Sequence, residues 1–173
     1  MQKSTLTGTE INNDIVQGYF AALDIGSNSF HYVLARKVGE QLQIMHSEKY
    51  RVKLAQGFDK ENNLSAEAIY RGVKTLGNLA SSAEHISKEN FRVVATHSLR
   101  HAKNIENFLK EAENVFPYDI EIISGHEEAR LIYQGVAHHT ENSAQQLVID
   151  IGGGSTECII GQQQNILTLA SLN

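Results

Sequence analysis

The feature that most constrains this chain is a device it carries twice: a short apolar strand that ends on an aspartate and runs into a Gly/Ser-rich turn. Leu23-Asp24-Ile25-Gly26-Ser27 and Ile149-Asp150-Ile151-Gly152-Gly153-Gly154-Ser155 are two versions of it. Glycine has no Cβ, so backbone N–H groups can approach an anion there, and Ser and Thr hydroxyls add donors. An aspartate beside such a turn can hold a divalent cation that offsets phosphate charge. A plain hairpin closed by Asp and Ser would explain one such turn. Two with the same grammar favour phosphate binding. Neither is a Walker loop, since no Gly-Lys-Ser/Thr follows, and neither has the strand-loop-helix form of the Rossmann fingerprint.

The periodicity around the two turns predicts an α/β order. Tyr19 to Ile25, Phe30 to Arg36 and Leu42 to Glu48 read as an antiparallel meander. From Ser65, a candidate N-cap, the apolar spacing turns helical as far as Ile86, and Gly72 and Gly77 inside that stretch suggest close packing. Phe91 to Thr96 is a strand, Ala102 to Val115 a helical stripe stopped before Pro117, Asp119 to Ile123 a strand and Glu127 to His138 a helix. The second device follows as Leu147 to Ile151, the glycine turn, Thr156 to Ile160 and Ile166 to Leu169. A device opening two successive units suggests two related domains. Residues 1–15 read as a mobile lead-in, 16–135 as a first unit and 136–173 as the start of a second one, which stops well short of a domain.

Composition narrows the class. With 41% hydrophobic and 20% charged residues the chain can bury a core. A formal net charge of -5 argues against general nucleic-acid or anionic-membrane binding, though a small site on an acidic protein can be locally positive. No apolar run approaches transmembrane length, and the start lacks the apolar stretch of a secretory signal. The single cysteine, Cys158, excludes an internal disulfide and fits a reducing compartment, so a cytoplasmic location is expected. Cys158 itself reads as a small core residue. The histidines lack ligand spacing with any Cys or acid pair, so no zinc site is expected.

Four ordered motifs carry a family resemblance. Asp24-Ile25-Gly26-Ser27-Asn28-Ser29-Phe30-His31 and Asp150-Ile151-Gly152-Gly153-Gly154-Ser155-Thr156-Glu157 resemble the two phosphate loops of the exopolyphosphatase / guanosine pentaphosphate phosphohydrolase family. Thr96-His97-Ser98-Leu99-Arg100 and the segment from Ile123-Ser124-Gly125-His126-Glu127-Glu128 to Tyr133 match it in order between them. The resemblance implies a ribonuclease-H-like domain of the actin/Hsp70/sugar-kinase superfamily, with a mixed five-stranded sheet, followed by the first strands of a second such domain. It also implies an active site in the cleft between the two. It further implies release of terminal phosphate from polyphosphate or pppGpp, assisted by Mg2+ with K+ as a further activator, and a homodimer in the full-length form. Thr96 to Arg100 and the stretch from Phe108 to Ser124 look closer to exopolyphosphatases, whereas Leu131 to His138 looks closer to the pentaphosphate enzymes. Polyphosphate stands slightly ahead.

The site residues divide by how much the sequence alone says of them. Ser124 and Glu127 have capping-box spacing, which gives Glu127 a structural job at a helix N-terminus. Glu128 has no such job, and the resemblance puts the catalytic base there. Arg100 is expected to open a helix, where the dipole does not favour a cation, and the resemblance makes it a phosphate ligand. Gly26, Ser27, Asn28, Gly152, Gly153, Gly154 and Ser155 are the other expected phosphate ligands. The resemblance assigns the metal to Asp150, Glu157 and Asp24, although Glu157 alone would read as an outward-facing strand acid. Lys49, Arg51 and Lys53 alternate along an extended segment and read as lysine and arginine protection of an edge strand rather than as a phosphate track. A non-catalytic phosphate or alarmone-binding module is the rival reading of another class.

Overall fold

The structure, a computed structural model, describes residues 17–39, 41–140 and 143–173; the expected lead-in therefore lies outside the described residues. Strands β1 (Gln17–Ile25), β2 (Phe30–Val38) and β3 (Gln41–Tyr50) form the expected antiparallel meander. Helix α1 (Ala66–Ala83) follows, capped by Ser65, whose Oγ accepts from the Ala68 amide at 3.3 Å. Strand β4 (Phe91–Ala95) then pairs parallel to β1, and β5 (Glu121–Ile122) pairs parallel to β4, giving a mixed sheet in the order β3-β2-β1-β4-β5. The ladder of β5 covers only Glu121–Ile122 and is shorter than its apolar run suggested.

A short helix that the periodicity did not announce precedes the second expected one. It is α2 (His97–His101), separate from α3 (Ile105–Glu113) because Ala102 leaves the helical region with ψ near 118°. The stripe expected from Ala102 to Val115 is helical only over Ile105–Glu113, and Val115 proves 41% exposed. Helices α1 and α3 cover one face of the five-stranded sheet. Leu23, Ile25, Phe30, Leu76, Leu79 and Phe108 are essentially inaccessible there, and burying each such side chain contributes roughly 1.5–3 kcal/mol.

Helix α4 (Gly125–His138) begins where the Ser124 hydroxyl accepts from the Glu127 amide at 3.1 Å. Its partners are the strands that follow it: β6 (Gln145–Ile151), β7 (Thr156–Gln162) and β8 (Asn165–Leu172), an antiparallel sheet in sequence order. Ala129, Tyr133 and Ala137 recur every fourth residue and pack on Ile159. Gly161 lies directly beneath the Tyr133 ring, where a Cβ would collide. The expected unit boundary at 135/136 thus falls inside a helix whose apolar face rests on the three-stranded sheet. Among the described residues no helix is long and apolar enough to cross a membrane.

The two helix glycines part company. A Cβ on Gly72 would stand 2.6 Å from Phe108 Cε2, whereas one on Gly77 would meet Val115 at an ordinary 3.5 Å. Gly72→Ala therefore destabilises by about 1–2 kcal/mol, overpacking outweighing the helix-propensity gain, while Gly77→Ala stabilises by about 0.5–1 kcal/mol. Urea midpoints of the two variants are expected to move in opposite directions.

Candidate active site

Both turns are built alike. The Gly26 amide donates to the Ser29 carbonyl at 3.2 Å, and the Gly152 amide to the Ser155 carbonyl at 2.9 Å. Asp24 pairs with His31 across β1 and β2, and Asp150 with Glu157 across β6 and β7. Directly opposed residues of an antiparallel pair share a face, so each turn carries two such side chains on one side. The sheets bring the turns into contact: a Cβ on Gly153 would stand 3.3 Å from that of Ser27, and one on Gly154 would run into the His97 ring. Between them lies a cleft of about 410 Å³.

Of the expected site residues, Asp24, Gly26, Ser27, Asn28, Glu128, Asp150, Gly152, Gly153, Gly154 and Ser155 line this cleft. The turn bonds use the Gly26 and Gly152 amides. The amides of Ser27, Asn28, Gly153 and Gly154 have no protein acceptor among the described residues. The carbonyls of Ser27 and Asn28 accept from Ala55 and Lys53, which fixes the first loop from behind. The Ser27 hydroxyl is buried and accepts from Ser98 Oγ at 2.8 Å, so its part is as much to hold the loop as to meet an anion.

Arg100 and Glu157 stand behind the cleft wall. Arg100 does not open a helix but sits in the last turn of α2, so the dipole supplies no argument for its function. Its Nη1 donates to the Ile123 carbonyl at 2.7 Å, and both Nη atoms lie 3.4 Å from Glu128 Oε2. Glu157 is fully buried, with Oε1 accepting from Ser171 Oγ at 2.8 Å and Oε2 buried without a partner. Strand parity places Glu157, Ile159 and Gly161 inward and leaves Cys158 half-buried on the other side. The outward reading of Glu157 and the core reading of Cys158 are therefore exchanged. Glu127 forms only half of the capping box. Its carboxylate grips Arg130 at 2.6 and 2.7 Å instead of reaching back to Ser124.

Electrostatics single out two acids. Burial, then the neighbouring Glu157 charge, pushes Glu128 up to about 7 against the opposing pull of Arg100. Burial, then Asp150, pushes Asp24 up to about 6, with Lys49 opposing. A half-buried carboxyl titrating near neutrality is suited to general-base work. His97, stacked on His101 with ring centroids 4.1 Å apart, is held below the ordinary histidine range by burial and by the His101 and Arg100 charges. It stands as a neutral spacer against Gly154. The sequence had shown His97 and Ser98 beside Arg100 in one motif, but only the fold gives them a role, His97 against the second loop and Ser98 against the first.

A model of the Ppx/GppA phosphatase family matches residues 33–173. The chain belongs to the Ppx/GppA phosphatase family. A Vibrio atlanticus protein named guanosine-5'-triphosphate,3'-diphosphate pyrophosphatase is 47% identical over 153 residues, covering 88% of this chain and 31% of its own. A Haemophilus influenzae relative, provisionally named an exopolyphosphatase, is 50% identical over 141 residues, covering 82% of this chain and 44% of its own. The chain therefore spans less than half the length of these relatives. Among solved structures, an exopolyphosphatase from Cytophaga hutchinsonii superposes with a TM-score of 0.82 at 27% identity, covering 89% of this chain and 50% of the other. A Bacteroides thetaiotaomicron protein described as having an actin-like ATPase fold superposes with a TM-score of 0.51 at 7% identity, covering 95% and 74%, and shares the fold alone.

The raised acid has a measurable signature. Folded Glu128 holds its proton to about pH 7 while the unfolded chain releases it near 4.5, so this group's contribution to stability falls as pH rises through that window. Glu128→Gln removes that loss. Its thermal midpoint is expected to gain on the wild type between about pH 5 and pH 8, and no pH-dependent gain would mean that Glu128 titrates normally.

Proposed function

We propose that this chain supplies a hydrolytic centre for terminal phosphoanhydrides, with Glu128 as the base that takes a proton from the attacking water. The observation that carries this reading is the half-buried Glu128 carboxyl, raised to about 7 and braced by Arg100, facing two glycine turns with unused amides. Those amides, from Ser27, Asn28, Gly153 and Gly154, would hold phosphoryl oxygens as charge develops on them. Arg100 then acts first by orienting Glu128, and its expected direct role as a phosphate ligand requires the guanidinium to turn from the Ile123 carbonyl. No phosphoenzyme is needed. The two sheets with their helices are taken as two ribonuclease-H-like units facing across the cleft, with α4 counted in the second.

The donor set fits a hard cation. Glu157 Oε2 is a buried oxygen without a partner, on the same strand pair and face as Asp150, and Asp24 stands within electrostatic reach of Asp150. Among the described residues no three His, Cys, Asp or Glu side chains form a ready-made cage. Mg2+ usually takes one or two carboxylates and completes its shell with water and phosphate. Asp150, Glu157 and Asp24 would hold it, one or two of them directly and the rest through water, and when bound it would neutralise charge on the phosphoryl group.

Inorganic polyphosphate is the preferred substrate, on the resemblance of the motif containing Arg100 and of the stretch after Phe108; pppGpp is the alternative, supported by relatives named as pentaphosphate enzymes. Phosphate release from long-chain polyphosphate and from pppGpp, with Mg2+ and with and without K+, separates the two. Glu128→Gln should lower turnover by about 10²–10⁴-fold with phosphate-chain binding retained. Turnover equal to the wild type would remove Glu128 from the mechanism. Binding without release by the wild-type chain would favour a non-catalytic phosphate-binding module.

A further inference from the structure

The cleft presents a charge problem to the ligand proposed for it. Asp24, Glu128 and Asp150 line it, and the ligand is itself polyanionic. Arg100 does little to resolve this, because its Nη atoms are turned to the Ile123 carbonyl and to Glu128. Among the described residues lining the cleft, the fixed positive charge is Lys49. Its ammonium has no hydrogen bond or ion pair with the described residues, although Asp24 is close enough to feel it.

Lys49 owes its position to a bulge. Ala35 pairs with Ile44, but Leu34 pairs with His46, so Met45 is an extra residue in β3. Before it, Leu42 and Ile44 face the same side as Ala35; after it, Ser47 and Lys49 do, and the parity changes from even to odd. The His31 ring, paired with Lys49, bonds Ser47 Oγ at 3.0 Å on that side. Unbroken alternation would have sent His46, Glu48 and Tyr50 to the cleft face and Lys49 away from it. The bulge turns a cation on an edge strand toward the two glycine turns.

We infer that Lys49 is a substrate-binding residue, its ammonium meeting non-bridging oxygens of the phosphoanhydride chain that enters the cleft. This rests on the proposed function and corrects the reading of Lys49 as edge protection alone; Arg51 lies outside the cleft lining. The test uses tripolyphosphate binding by calorimetry at several salt concentrations, together with KM for polyphosphate. Lys49→Met should weaken binding and raise KM about tenfold, and should reduce the salt slope of binding by about one. Lys49→Arg should restore most of the loss, Arg51→Met should bind as the wild type does, and the thermal midpoint of Lys49→Met should not fall, since the side chain is exposed. Binding within twofold of the wild type and an unchanged salt slope in Lys49→Met, with phosphate release intact, would overturn this inference and leave the proposed function standing. Absence of both tripolyphosphate binding and phosphate release in the wild-type chain would overturn both.

Discussion

Four carboxylates, those of Asp24, Glu128, Asp150 and Glu157, gather where the two sheets meet, and one half-buried guanidinium stands among them. Water would separate such charges at little cost, but here burial deepens every repulsion. The structure responds by keeping Glu128 and Asp24 protonated well above their ordinary range and by leaving one oxygen of Glu157 without a partner. Such a site is incomplete in charge, and a cation and an anion arriving together would complete it. The rest of the molecule holds the four groups where they would not assemble by themselves.

That holding is steric before it is electrostatic. Gly153 and Gly154 let the second turn settle against Ser27, Asn28 and the His97 ring, and Gly161 lets the end of the Tyr133 ring come close to β7. The Ser98 hydroxyl fastens Ser27, and the backbone after β3 takes up the carbonyls of the first turn. Helix α4 carries Glu128 at its start and is anchored on the three-stranded sheet by Ala129, Tyr133 and Ala137. Glu128, the proposed base, therefore belongs mechanically to the second sheet, while Arg100, which braces it, comes from the first. Any shift of one sheet against the other alters the Glu128–Arg100 contact.

Much of this was legible in the chain. Asp24 and Asp150, each before a glycine turn and each followed seven residues later by its cross-strand partner, announced two equivalent hairpins. Ser65 and Ser124 marked the starts of α1 and α4. What could not be read were features without a periodic signal. The five-residue helix α2 is too short to show an apolar period, so the sequence placed Arg100 at the start of a helix instead of in the last turn of α2. Glu157 looked like a surface acid, since a buried charge violates the usual pattern and is tolerated only where other groups share it. Lys49 was hidden by the extra residue Met45, which no alternation rule predicts.

The sequence by itself determined the local pieces: strand, aspartate, glycine turn, returning strand, twice over, and helices with their caps, because propensity, capping and periodicity act over a few residues. It also determined the family, through four motifs in order. Only the tertiary structure decided which of the acidic and basic residues meet. Asp24 and Glu128 lie more than a hundred positions apart in the chain, and their shared environment arises when two sheets and a helix pack. Burial and Coulomb interaction depend on distance in space, and sequence spacing carries no measure of that distance once the chain has turned back on itself.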